Sequence, residues 1–327
     1  MLGVSLAVLS AAIFAFNNAS ARRGVLTGSV LQGLAINVPI GVPLFFAAVL
    51  LSGALPSVLG FSPRSISLLA VGGVLHFVMG RYCNFRASRA IGNVLSGPII
   101  QLQLAVSVML AVAVLHEQLT ALRLLGIVLL VFAPGLMRGA QKAGSEHAAA
   151  AGSSPFVPRY LEGYAFALLA AIAYGITPIL VRLAIIGNDP RSGLVGGMIA
   201  YAAAAAAVGL LLAPPRQLRH ALAVTPEARK WFAFSGIAVC FAQMCMFVAY
   251  TVAPISVVTP IQQLTIVFRV MFARMLTPQH EVFGTAMILG TGLSLLGAIA
   301  LSLDMEFLLG LIALPDALIR LLTWRWP

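Results

Sequence analysis

Ten stretches of this chain are apolar over about the 20 residues that an α-helix needs to cross a bilayer. They run Leu2–Ser20, Val25–Leu51, Ile66–Phe85, Asn93–Leu115, Ala121–Met137, Gly163–Ile185, Gly193–Leu212, Trp231–Val252, Val257–Leu276 and Val282–Leu303. Short polar connections separate them. Lipid offers a backbone no hydrogen-bond partner, so spanning segments must be helices or closed barrels. The alternating segments of about ten residues that a barrel needs are absent. Only 9% of the 327 residues are charged and 61% are hydrophobic, whereas a soluble domain carries about a quarter charged residues. Most of this surface faces lipid. The expected fold is an all-α polytopic membrane protein with ten transmembrane helices.

The formal net charge is +11. Its Lys and Arg residues sit singly or in pairs between apolar runs, as loop charges do when they set membrane orientation. A nucleic-acid surface would gather them in one stripe or patch, so no nucleic-acid partner is expected. More of them fall on the side of the first interspan loop than on the side of the termini, which by charge alone puts the termini outside the cytoplasm, with cytoplasmic termini as the other option. Cys83, Cys240 and Cys245 lie inside apolar runs without metal-ligand spacing and read as free thiols. The run from Leu2 to Phe16 has no basic residues ahead of it and reads as a retained first span, not a signal peptide.

Between the fifth and sixth spans the chain turns polar and rich in Gly, Ser and Pro, the composition of a flexible linker. This divides it into a first five-helix unit at 1–137, a linker loop at 138–160, a second five-helix unit at 161–303 and a tail at 304–327. Pro315, Asp316 and Arg320 interrupt the tail, and Trp324 and Trp326 close it. Those features suit an interfacial helix with a tryptophan anchor, with an eleventh span as the other option.

The two units repeat one another. Pro98-Ile99-Ile100-Gln101-Leu102 aligns with Pro260-Ile261-Gln262-Gln263-Leu264, and the same 162-residue offset puts Phe85 on Phe247, Ala87 on Ala249 and Met109 on Met271. After a two-residue insertion His116-Glu117 meets His280-Glu281, and Leu125-Gly126 meets Leu289-Gly290. At an offset of 160, Leu9, Ala11 and Arg22 fall on Leu169, Ala171 and Arg182. Apolar matches are cheap, but Pro, Gln, His-Glu, Gly and Arg in order are not. Five is an odd number of crossings, so the second unit must enter the membrane from the opposite face. Transporters built from such inverted repeats rock their halves around a site near the midplane.

Tyr82-Cys83-Asn84-Phe85-Arg86-Ala87-Ser88, then Pro98, then Leu115-His116-Glu117-Gln118-Leu119-Thr120 and Gly126, resembles the EamA domain. That domain is the five-helix unit of the drug/metabolite transporter superfamily. The resemblance covers nearly the whole chain before the tail. It departs at His116, where the family usually has Gly before the Glu, and at the longer second elbow, Thr277 to Glu281. It implies two inverted EamA-like repeats around a central cavity. The small multidrug members use a glutamate in the first span for proton-coupled export, and neither span one nor span six has an acid here.

Polar residues inside hydrocarbon are costly and mark candidate substrate contacts. Gln101 and Gln263 follow a helix-breaking proline in equivalent spans, and they either bind substrate or tie helices together. Gln262 is a weaker candidate. Arg81 in span three shares a helix face with Asn84. Arg269 lies deep in span nine. The two guanidiniums would bind an anionic group or pair with Glu117, Glu281 or helix carbonyls. Asn17 and Asn37 in spans one and two, and His76 in span three, add neutral donors and acceptors. Tyr174 and Phe14 fall on matching repeat positions and would either wall a cavity or serve in packing or against lipid. Gly196, Gly197, Ala200 and Ala204 make a small-residue face for helix contact.

The expected function is secondary transport of a small polar metabolite, an amino acid or organic anion, by alternating access and in the direction of efflux. The partners are a small-molecule substrate and the lipid bilayer, without a cofactor or metal. The protein is expected as a monomer or homodimer, multi-pass in the plasma (cell inner) membrane. A lipid flippase or a non-transporting accessory protein is the other reading. A membrane enzyme would need catalytic pairs that these nine acidic residues do not form, and the two His-Glu pairs lack the His-Glu-x-x-His spacing of a zinc site.

Overall fold

A computed structural model of the chain describes residues 2–150, 156–185, 190–253, 255–281, 284–303 and 325–326. Its helices are α1 (Leu2–Thr27), α2 (Val30–Leu51), α3 (Pro63–Gly73), α4 (Arg81–Ile100), α5 (Leu102–Leu115), α6 (Ala121–Ala150) and α7 (Tyr160–Ala184). They continue with α8 (Pro190–Leu212), α9 (Pro215–Leu222), α10 (Pro226–Val252), α11 (Ile255–Gln262), α12 (Thr265–Leu276) and α13 (Thr285–Ser302). A π-helical turn, Val74–Gly80, joins α3 to α4. Among the described residues, six helical stretches are long and apolar enough to cross a membrane. One of them, Pro63–Leu115, has 53 residues. At 1.5 Å per residue it would extend about 80 Å, more than twice the hydrocarbon thickness. It turns back instead at Gly92, whose φ of 81° lies outside the helical region.

Several boundaries differ from the sequence expectation for physical reasons. The first span runs on past Ser20 to Thr27, because Arg22 is buried in an ion pair and does not end the helix. A capping box of Ser29 and Gln32 then opens α2. Helix α6 continues beyond Met137 to Ala150, into the expected linker, where Lys142, Glu146 and Ala148–Ala150 favour helix. Residues 151–155 of that linker lie outside the described residues. So does most of the tail, but Arg325 and Trp326 pair antiparallel with Leu119 and Thr120 as a short two-stranded ladder.

Helix partners exchange between the two units. Helix α1 packs along α10, and its repeat counterpart α7 packs along α3, the π turn and α4. Helix α1 also meets α11 and α12, as α7 meets α5. Helix α2 lies against α10, as α8 lies against α3. Two pairs, α2 with α8 and α6 with α13, join counterparts directly. The expected small-residue face of α8 sits in these contacts. Cβ atoms added at Gly196 and Gly197 would meet Ile185 and Phe45, and Ala200 lies against Gly73.

Candidate functional site

Proline sets the centre of the site. Pro98 and Pro260 each lack the N–H that would bond the carbonyl four residues earlier, and a few residues later both helices break. Helix α4 yields to α5 at Gln101, and α11 yields to α12 at Gln263 and Leu264. The two glutamines face each other across the junction of the units. Gln101 Nε2 donates to Gln263 Oε1 at 2.8 Å. Gln263 Nε2 donates in turn to the Thr259 carbonyl at 3.2 Å and the Ser302 hydroxyl at 3.3 Å. They therefore tie the two units together and also line a cavity.

The cavity holds about 360 Å³ and draws its walls from both units. Asn17, Asn18, His76, Arg81, Asn84, Gln101 and Gln103 come from the first unit, and Tyr174, Gln243, Gln262, Gln263 and Arg269 from the second. Phe14 and Tyr174 both line it. The volume suits a metabolite of amino-acid size. Among the described residues that line it, none is Asp or Glu.

Arg81 is buried without a carboxylate partner among the described residues. Its Nη1 donates to Asn37 Oδ1 and its Nη2 reaches the Tyr201 hydroxyl at 3.5 Å, while the guanidinium stacks 5.1 Å over Phe77. The Tyr201 hydroxyl donates to Gln243 Oε1 at 3.3 Å. These dipoles orient the cation without cancelling its charge, which is permanent. Asn37 thus stands behind Arg81 and not in the cavity wall. Its amide donates to Ser235 Oγ at 2.9 Å, and that hydroxyl donates to Asn17 Oδ1 at 2.6 Å.

Arg269 is the second cation. Its Nη2 donates to Asn93 Oδ1 at 3.3 Å and Ser96 Oγ at 3.2 Å, and Gly97 makes room for its stem. Its Nε has no partner among the described residues. His76 lies on the π turn, its ring 4.6 Å from that of Tyr174. A Cβ at Gly80 would meet the Tyr174 ring at 2.6 Å, so glycine is what lets this ring close on the turn.

The sequence matches the EamA-like transporter family over residues 1–138 and 161–303. The chain belongs to this family. No curated protein matches the sequence. A solved structure titled "Crystal structure of protein" is similar over 91% of this chain and 94% of its own, at 18% identity and a TM-score of 0.47. Membership makes the chain a multi-pass membrane transporter of the drug/metabolite type.

Within this EamA-like frame, Gln101, Gln263, Gln262, Arg81, Arg269, Asn17, Asn84, His76 and Tyr174 gather in one cavity, and Asn37 supports it from behind. Gln243, Met246 and Thr265 were not singled out from the sequence. The 162-residue offset places them on Arg81, Asn84 and Gln103, so the repeat register carried the signal. Replacing both Gln101 and Gln263 by Ala should lower flux in proteoliposomes at least about tenfold, or ~1.4 kcal/mol in the transport barrier, with little loss of folded protein. Unchanged flux would remove the pair from the site.

Proposed function

We propose that the chain is a ten-span secondary transporter whose two five-helix units lie in opposite orientations and carry a small polar metabolite with an anionic group by alternating access. One observation carries the reading: a cavity walled by both units holds two buried guanidiniums and, among the described residues, no lining acid. A membrane-embedded Arg costs about 2.5–3.5 kcal/mol or more. Two of them beside neutral amides suit a carboxylate, with Asn and Gln amides left for the polar remainder of an amino acid or organic acid.

The exchange of helix partners between the units supports the inverted relation. It also supports the count, since the part of α4 after Gly92 with α5, and α11 with α12, then form one broken span each in equivalent places. Export across the plasma membrane is the direction and location in this proposal, and both follow from the resemblance to the superfamily.

Purified protein in liposomes, screened with labelled amino acids, organic acids, sugars and organic cations, tests it. Flux of anionic or zwitterionic solutes and none of cations is expected. Cation flux would contradict the anion site, and lipid movement without solute flux would replace this reading with a flippase.

A further inference from the structure

A buried ion pair outside the lining of the cavity joins the two units. Arg22, near the end of α1, and Glu281, in the elbow before α13, lie 3.5 Å apart with both side chains fully buried. Arg22 also donates to the carbonyls of Ser88 and His280, the latter at 2.6 Å, and Phe156 covers its guanidinium at 4.8 Å. Glu281 accepts from two successive amides, Asn93 and Val94, each at 2.9 Å. Those amides open the second half of α4 and are aimed at the carboxylate by the turn at Gly92, where a Cβ would sit 2.4 Å from Glu281 Oε2. The cluster joins α1, the break in α4 and the second elbow, elements of both units.

Each part has a counterpart in the other unit, and there it is undone. Arg22 corresponds to Arg182, near the end of α7, and Glu281 to Glu117 in the first elbow. Asn93 and Val94 correspond to Ile255 and Ser256, the first residues of α11. Arg182 is exposed, and its side chain makes no hydrogen bond or ion pair among the described residues. Glu117 is half-exposed and turned to Arg123, at 3.3 Å. Among the described residues, the Arg–Glu pair made on one face is thus not made between its counterparts. A buried pair of this kind resists separation, because either charge left alone in low dielectric costs several kcal/mol.

We propose that Arg22 with Glu281, and Arg182 with Glu117, are reciprocal closures of the transport cycle, only one of which is made at a time. In the other state Arg22 and Glu281 part, and Glu117 leaves Arg123 to cap α11 beside Arg182. The four are positioning residues, which set which face of the cavity is shut. This rests on the alternating-access reading.

The test links Glu117→Cys to Arg182→Cys with a short bifunctional thiosulfonate in vesicles and follows hydrogen exchange at the Asn93 and Val94 amides. Both substituted positions are accessible, so folding should survive. The cross-link is expected to form and to speed exchange at those two amides at least about tenfold, because Glu281 is drawn away from them. Failure to cross-link, or a cross-link with Asn93 and Val94 still protected, overturns the reciprocal closure. If wild-type liposomes still carry flux in that case, the transporter reading stands; if they carry none, it falls separately.

Discussion

Replacing Arg81 by Gln should cut flux of an anionic solute roughly ten- to a hundredfold while leaving the protein folded. A hydrogen bond to a charged group contributes about 1.5–3 kcal/mol, and each 1.4 kcal/mol is tenfold in rate. The change removes the one formal charge held by Asn37, Tyr201 and the Phe77 ring, and none of these is a carboxylate that would be left bare. Folding should therefore suffer little or improve, since a costly buried cation is gone. Arg81→Lys keeps the charge but not the planar fork and should fall between the two. The discriminating measurement is flux alongside the thermal midpoint in detergent. A large fall in midpoint with flux per folded molecule unchanged would make Arg81 a structural residue.

Replacing Gly73 by Val should have the largest effect on folding. A Cβ there would lie 2.2 Å from the Ala200 carbonyl oxygen and 2.7 Å from its Cα, so the backbone of α8 would have to move. Overpacking a close contact costs about 1–3 kcal/mol, and here no flexible side chain can yield. Helix contacts in lipid depend on such close approach, because apolar burial alone does not drive them. Gly209, also in α8, is the control. Nothing lies within 4 Å of its added Cβ, so Gly209→Ala should be neutral or gain up to about 1 kcal/mol in helix propensity. Thermal midpoints in one detergent compare the two, and equal midpoints would mean that α3 and α8 do not pack as described.

The span pattern and the repeat were legible because both rest on residue type alone: apolar runs of bilayer length, and Pro-x-x-Gln twice at one offset. That offset also brought Gln101 to Gln263, a contact between residues 162 apart in sequence. What the sequence hid was partnership. Arg22 and Arg23 read as loop charges because nothing local shows that Glu281, far along the chain, neutralises Arg22 inside the protein. Asn37 reads as a cavity residue, since a buried amide looks the same whether it faces substrate or orients an arginine. Gln243 drew no notice in an apolar run, although the repeat register sets it on Arg81.

Sidedness of equivalent positions bears most directly on the paired, opposed units. Thr27, at the end of α1, and Arg191, at the start of α8, are both exposed and mark corresponding ends of the two units. Cysteines placed there one at a time, with the wild-type protein as background, are to be labelled by an impermeant maleimide from each side of sealed vesicles. The expected result is labelling of Thr27→Cys from one side and of Arg191→Cys from the other. Labelling of both from the same side would contradict it.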